Sequence, residues 1–202
     1  MSSAVVFIIS LIAILSFVHC LQNLCYKDFD MKHIGWDIYC YKIYSFDRFD
    51  IDEYRAFWNG IDGDQRFCEI FTQRTGQKGY SVSIRNRKEY EFVKVQYRTA
   101  DFNLISVPLL IGLKYENGRF YWFDNSTFNY TDFFEPDYKT RSYLFRKGQC
   151  RRFYMYSPPT YGKRKYFVLD IDCRVRFYEY RLLCRYKVPR SDVIFASLST
   201  FC

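Results

Sequence analysis

Histidine is nearly absent from this sequence: His19 and His33 are the only two in 202 residues. A Ser-His-Asp or Cys-His set cannot be assembled from so little imidazole, and general acid–base work loses its commonest side chain. No C-x-x-C pair occurs, so the ligand spacing of the usual structural zinc sites is missing as well. No glycine-rich loop of the phosphate-cradling kind is present, and acidic pairs such as Asp170 and Asp172 read as ordinary solvated groups. Together these absences exclude the common hydrolase, metalloenzyme and nucleotide-binding chemistries, and the chain reads as a binder rather than an enzyme. Internal repeats and low-complexity tracts are lacking too, and the length suits one domain with a full core.

Charge is missing at the start, where the first charged side chain is Lys27. Ahead of it the apolar run from Ala4 to Val18 has the length of a signal-peptide core and falls short of the about 20 residues that span a bilayer. Val18 and Cys20 offer small residues before a cleavage point at Cys20-Leu21. This divides the chain into a signal peptide (1–20), a domain (21–188) and a C-terminal tail (189–202), read as frayed apart from Cys202. Cleavage leaves a secreted protein with no second apolar run for membrane insertion; retention of the segment as an anchor is the other reading.

What the sequence does contain is cysteine, aromatic rings and positive charge. Eight cysteines are present, at 20, 25, 40, 68, 150, 173, 184 and 202, and in an exported chain they pair with one another. If Cys20 leaves with the signal, an odd one remains. The terminal Cys202 then carries a free thiol or an interchain disulfide, unless it pairs with a retained Cys20. The remaining six allow 15 connectivities, which spacing alone does not resolve. The 20 Tyr and 21 Phe favour pleated, half-buried surfaces and recognition sites, with most of them expected in the core. The formal charge is +8, and the excess is concentrated in Lys139, Arg141, Arg146, Lys147, Arg151, Arg152, Lys163, Arg164, Lys165, Arg174 and Arg176. Only Asp170 and Asp172 oppose them there, so this stretch forms an electropositive surface.

Along the chain, residues 21–40 read as an extended lead-in and Cys40–Tyr44 as a strand. Between Asp52 and Thr72 apolar residues fall near helical spacing, interrupted at Gly60 and Gly63. Tyr80–Ile84 alternates like a half-buried strand. Arg87–Arg98 is an amphipathic helix, with Tyr90, Val93 and Tyr97 on one face and Arg87, Glu91 and Lys94 on the other. Leu109–Leu113 and Phe120–Phe123 are short strands about a Glu116-Asn117-Gly118 turn. Asn125–Pro159 reads as a long ordered loop. Tyr166–Leu169 and Tyr178–Tyr186 are the last strands, and no helix is expected after Ser106.

Several pieces in this order resemble the C-type lectin domain, over roughly Cys25 to Tyr186. Ser81-Val82-Ser83-Ile84, followed by the acidic stretch and Phe92-Val93, looks like the family's strand and second helix. Ile111-Gly112-Leu113 corresponds to W-I-G-L, with Leu110 in place of Trp. Trp122-Phe123-Asp124-Asn125-Ser126 stands for W-x-D-G-S, and Asn129-Tyr130-Thr131-Asp132-Phe133 for N-Y-T-N-W. The resemblance implies an α+β fold with two helices packed on small antiparallel sheets, a long loop region and disulfide staples. By family pattern these staples are Cys25-Cys40, Cys68-Cys184 and Cys150-Cys173.

Sugar-binding members of the family hold calcium in the long loop. Here Glu135-Pro136-Asp137 occupies the place of the family's Glu-Pro-Asn or Gln-Pro-Asp triplet, and Asp170 closes the Val168-Leu169-Asp170 that replaces Trp-Asn-Asp. Leu169 cannot coordinate a metal, and Gly148-Gln149 stands where a Glu would precede Cys150. Calcium, which takes 6 to 8 oxygens, therefore has a depleted ligand set in Glu135, Asp137 and Asp170. No cofactor is otherwise expected. The reading favoured is that the triplet shapes the loop.

A glycan can also be held without metal. Rings stack on aromatic faces and Arg forks take sulfate or carboxylate, which assigns ligand binding to Lys139, Arg141, Arg146, Arg151, Arg152, Lys163, Arg164 and Lys165. The function expected is recognition of carbohydrate through the long loop, in innate defence. The alternative is a calcium-independent module for an acidic polysaccharide or an acidic protein. A solvated basic face serving solubility is the plainer reading of the same charges. Export disfavours nucleic acid. Asn125-Ser126-Thr127 and Asn129-Tyr130-Thr131 both satisfy the N-glycosylation rule.

Overall fold

The alternation read from the sequence places large apolar residues on both faces of one sheet. The computed structural model describes residues 24–46, 63–99, 107–134, 148–157, 166–175 and 179–198, together with Phe7. The strands are β1 (Asp30–Ile34), β2 (Asp37–Phe46), β3 (Tyr80–Ser81), β4 (Leu109–Glu116), β5 (Arg119–Trp122), β6 (Cys150–Tyr156), β7 (Phe167–Asp172) and β8 (Tyr180–Lys187). The helices are α1 (Gly63–Gln73), α2 (Arg87–Thr99) and α3 (Arg190–Leu198). The sheet runs β1-β2-β8-β4-β6-β7, with β3 added to β8 and β5 to β4. All pairings are antiparallel except β4 with β8, which meet in parallel at Leu109–Arg181 and Leu110–Leu182. The sheet is therefore one mixed layer rather than several antiparallel ones.

Strand β8 shows why both faces are covered. Its side chains alternate, so Leu183 enters a cluster with Val93 and Tyr97 of α2, Leu109, Ile111 and Trp122. Leu182 and Cys184 instead join Phe67 and Cys68 of α1, with Leu110. Tyr186 reaches a third cluster with Phe29, Ile38 and Val188. A strand buried on both faces reads as a nearly continuous apolar run. Here two arginines interrupt it.

Helix α2 begins at Asn86, whose side-chain oxygen accepts the Glu89 N–H at 3.0 Å. Glu89 in turn accepts the N–H of Arg85. Satisfying these first-turn donors from both sides fixes where the helix starts. The anticipated Glu116-Asn117-Gly118 turn does join β4 to β5, with Asn117 at φ 53° and Gly118 at φ 83°.

Gly112 lies at an irregularity in the β4–β6 register, between Ile111 and Lys114. Its N–H donates to the Val82 carbonyl at 2.7 Å, and its own carbonyl accepts the Phe123 N–H at 2.9 Å. A Cβ there would lie 2.5 Å from the Ser81 carbonyl oxygen. Because the obstacle is backbone, Gly112→Ala should lower the unfolding free energy by about 1–3 kcal/mol, as overpacking does. Chemical denaturation of the two proteins side by side measures this.

Among the described residues three disulfides form, Cys25–Cys40, Cys68–Cys184 and Cys150–Cys173, the pairs that the resemblance implies. Cys20 and Cys202 lie outside the described residues, as do the cleavage point and most of the leader. Among the described residues no helix is long and apolar enough to cross a membrane.

Two expectations are corrected, the loop reading of 150–156 and the frayed tail. Strand β6 occupies residues 150–156 of the stretch read as loop, because Arg152 sits among inward side chains and spoils the apolar alternation of a strand. The extended lead-in carries β1, which pairs with β2 from Asp30↔Tyr41 to Ile34↔Asp37 as an N-terminal hairpin closed by Cys25–Cys40. The tail carries α3 after all. Pro189 opens it, its carbonyl accepting the N–H groups of Asp192 and Val193 at 3.1 and 3.3 Å. Asp192 in the first turn suits the helix dipole, and Val193 packs near Leu24 and Cys25.

Candidate functional site

The strands that flank the long loop bring part of the anticipated ligand surface together. Arg151 on β6 and Asp170 on β7 form an ion pair at 3.6 Å. The Arg174 backbone N–H and guanidinium both bond to Asp172, and hydrogen bonding to that guanidinium, foremost, holds the Asp172 carboxyl down at about 2. Both described carboxylates of this edge are thus neutralised by arginine. Asp170, the described member of the calcium set, is paired with Arg151. Among the described residues no group of three His, Cys, Asp or Glu could hold a metal ion.

Arg152 does not belong to an outward basic face. It is 7% exposed, and its guanidinium donates to the Val175 carbonyl at 2.9 Å. The β-strand period accounts for this, because Arg151 and Arg152 must point to opposite sides. Glu135, Asp137, Lys139, Arg141, Arg146, Lys163, Arg164 and Lys165 lie outside the described residues. Asn125 and Asn129 are both exposed, the first in the turn that follows β5 at φ 58°.

A second polar constellation escaped the sequence reading. Arg185 of β8, with 2% of its side chain exposed, bonds to Asp124 and pairs with Glu89 of α2 at 3.3 Å, Glu89 itself being 1% exposed. Ser83 accepts from Arg185 and donates to Asp124 at 2.9 Å. Arg85 adds a second cation on Glu89 and donates to the Tyr39 hydroxyl at 3.1 Å. The Tyr39 ring lies 5.0 Å from the Arg85 guanidinium and 4.8 Å from that of Arg185. Burial alone would raise the Asp124 carboxyl, but the Arg185 charge and the Ser126 hydrogen bonds outweigh it and hold the group below its usual range. Burial pushes the neighbouring Tyr41 hydroxyl up to about 12.

This network ties three distant segments together, and a cleft of about 480 Å³ opens beside it, lined by Tyr39, Lys78, Tyr80 and Lys187 among others. Its sequence signals were the acidic residue three places after Asn86 and the Asp of the Trp122-Phe123-Asp124 piece. The partner arginine lies 61 residues beyond Asp124, out of reach of any local pattern.

No protein-family model matches the chain. A segment of 67 residues, 33% of the chain, is 37% identical to Lymphocyte antigen 75 of Mus musculus. It spans only 4% of that protein. Among solved structures, the C-type lectin CEL-I from Cucumaria echinata matches 82% of this chain and 99% of its own with a TM-score of 0.53, at 17% identity. At that identity the likeness speaks to the fold. With its α+β layers, sheet order and the staples of the described residues, the chain has a C-type lectin-like fold.

Proposed function

We propose that this domain works outside the cell as a carbohydrate-binding module whose long-loop edge takes anionic saccharides without calcium. The observation that carries the reading is the Arg151–Asp170 pair at 3.6 Å, which occupies the described carboxylate of the calcium set with an arginine. Three disulfides among the described residues support an oxidising compartment, and the solved structure named above is a C-type lectin. The formal charge of +8 and the cations expected from Lys139 to Lys165 suit sulfate or carboxylate groups. Anionic microbial surfaces are one source of such ligands, the sense in which the domain would act in innate defence.

Binding to a heparin column and to an array of sulfated and neutral glycans, with and without chelator, tests this. Retention on sulfated ligands should be unchanged by chelator and abolished by about 1 M salt, where screening acts within about 3 Å. Reversing Lys163, Arg164 and Lys165 to Glu should bring elution to lower salt. Binding to neutral sugars that requires calcium would overturn the reading.

At least one of Asn125 and Asn129 should carry an N-glycan on the secreted protein, because both side chains are exposed. Enzymatic deglycosylation in heavy-oxygen water, followed by peptide mass spectrometry, marks the occupied site.

A further inference from the structure

At the opposite edge of the sheet from β7, the β1–β2 hairpin and the first turns of α2 enclose a groove of about 1050 Å³. Its apolar lining comes from Ile34, Phe92 and Val95, with Val95 an exposed large apolar side chain. Beside the lining residue Gly35, which turns the hairpin at φ 63°, Trp36 stands 96% exposed. Solitary apolar residues on a surface need no explanation, but an apolar-lined groove whose lining residue Gly35 is followed by a fully exposed Trp does.

The exposed charges that line this patch are mostly positive. Lys32, Arg87 and Lys88 line the groove and are exposed, with the Lys32 ammonium 5.4 Å from the centre of the Phe92 ring. Of the two acidic lining residues, Glu89 is buried against Arg85 and Arg185, and Glu91 is paired with Lys94 at 2.7 Å. The N-terminal end of α2 adds its own positive potential.

We infer that this groove docks an acidic segment of a protein partner, with apolar side chains of the segment against Ile34, Phe92, Val95 and Trp36 and its carboxylates against Lys32, Arg87 and Lys88. Trp and Arg are both enriched among interface hot spots. A second copy of this chain fits poorly, because an isologous contact sets the three cations against their own symmetry mates. A neutral sugar finds few directional partners, since the Asn86 side-chain oxygen already accepts the Glu89 N–H.

Nuclear magnetic resonance with short synthetic peptides tests the inference. The probes are one peptide alternating Asp or Glu with Leu or Phe, a second with Lys for the acids, and a third with Ser for the apolar residues. The first should shift the Trp36 indole and the Lys32 and Phe92 amides in a saturable way, and the other two should not. Trp36→Ala and the Lys32→Glu/Lys88→Glu double variant should each weaken it about tenfold. Retention of Trp36→Ala on heparin should equal that of the wild type, which separates this groove from the loop edge. The inference is overturned if no peptide moves these resonances, if the three peptides move them equally, or if only a heparin oligosaccharide or phosphatidylserine vesicles do.

Discussion

Arg185→Met should lower the unfolding free energy by about 3–5 kcal/mol, the loss expected when one member of a buried ion-pair network is removed. The cost arises because Glu89 and Asp124 remain buried while their shared cation disappears. Glu89 keeps Arg85, so the damage concentrates at Asp124. Adding Glu89→Gln and Asp124→Asn to Arg185→Met should recover part of the loss, since neutral groups need no counter-charge. Urea unfolding of the three proteins measures this; a single variant as stable as the wild type would show the network to be energetically idle.

The same network fixes the direction of a pH effect. Asp124 titrates below its unfolded value, so its contribution is complete above the ordinary carboxylate range and disappears as pH falls through the folded value. Tyr41 titrates at about 12, above its unfolded value, so its contribution is complete below about pH 10 and is lost as pH rises through the folded value. The stability gap between wild type and Arg185→Met should therefore narrow on acidification below the ordinary carboxylate range. Unfolding curves collected across that range report it.

Removing the Cys68–Cys184 bond, by Cys68→Ala with Cys184→Ala, should cost roughly 4–5 kcal/mol through loop-closure entropy. Its closure spans 116 residues, against 23 for Cys150–Cys173, for which roughly 3 kcal/mol is expected. The longer bond also joins α1 to the strand that touches β2, β3 and β4, so the loss reaches the middle of the sheet. Ordering the denaturation midpoints of the paired-alanine variants tests the ranking. Domains are stable by only about 5–15 kcal/mol, so the Cys68/Cys184 variant is best examined at low temperature.

What the sequence made legible follows from how local each signal is. Helix α2 was readable because Tyr90, Val93 and Tyr97 share a face within one short span, and the β4–β5 hairpin because Asn117-Gly118 signals its own turn. The disulfides came from the collinear order of family motifs, not from spacing. Strand β6 and helix α3 were hidden for opposite reasons: Arg152 put a charge where a strand should show an apolar residue, and α3 is short and has no strong polar face. Arg185 was the deepest omission. Charged residues are almost never fully buried unless paired, and its partners enter from α2 and from the turn after β5. Of the candidate surface, only the residues carried by strands were placed, with Arg151 beside Asp170 and Arg152 turned inward.

Strands β2 and β8 are antiparallel neighbours, with Tyr39 opposite Lys187 and Phe46 opposite Tyr180. Entry to β2 and exit from β8 therefore lie side by side, and a force stretching the domain by its two ends meets the ladder as a zipper, loading one rung at a time from Tyr39–Lys187. Such peeling runs into two covalent stops almost at once. Cys40 is bonded to Cys25 and Cys184 to Cys68, so tension is passed around the first rungs on one side and into α1 on the other. Held by its two ends, the domain would resist being pulled open while oxidised, and would unravel from that corner once reduced.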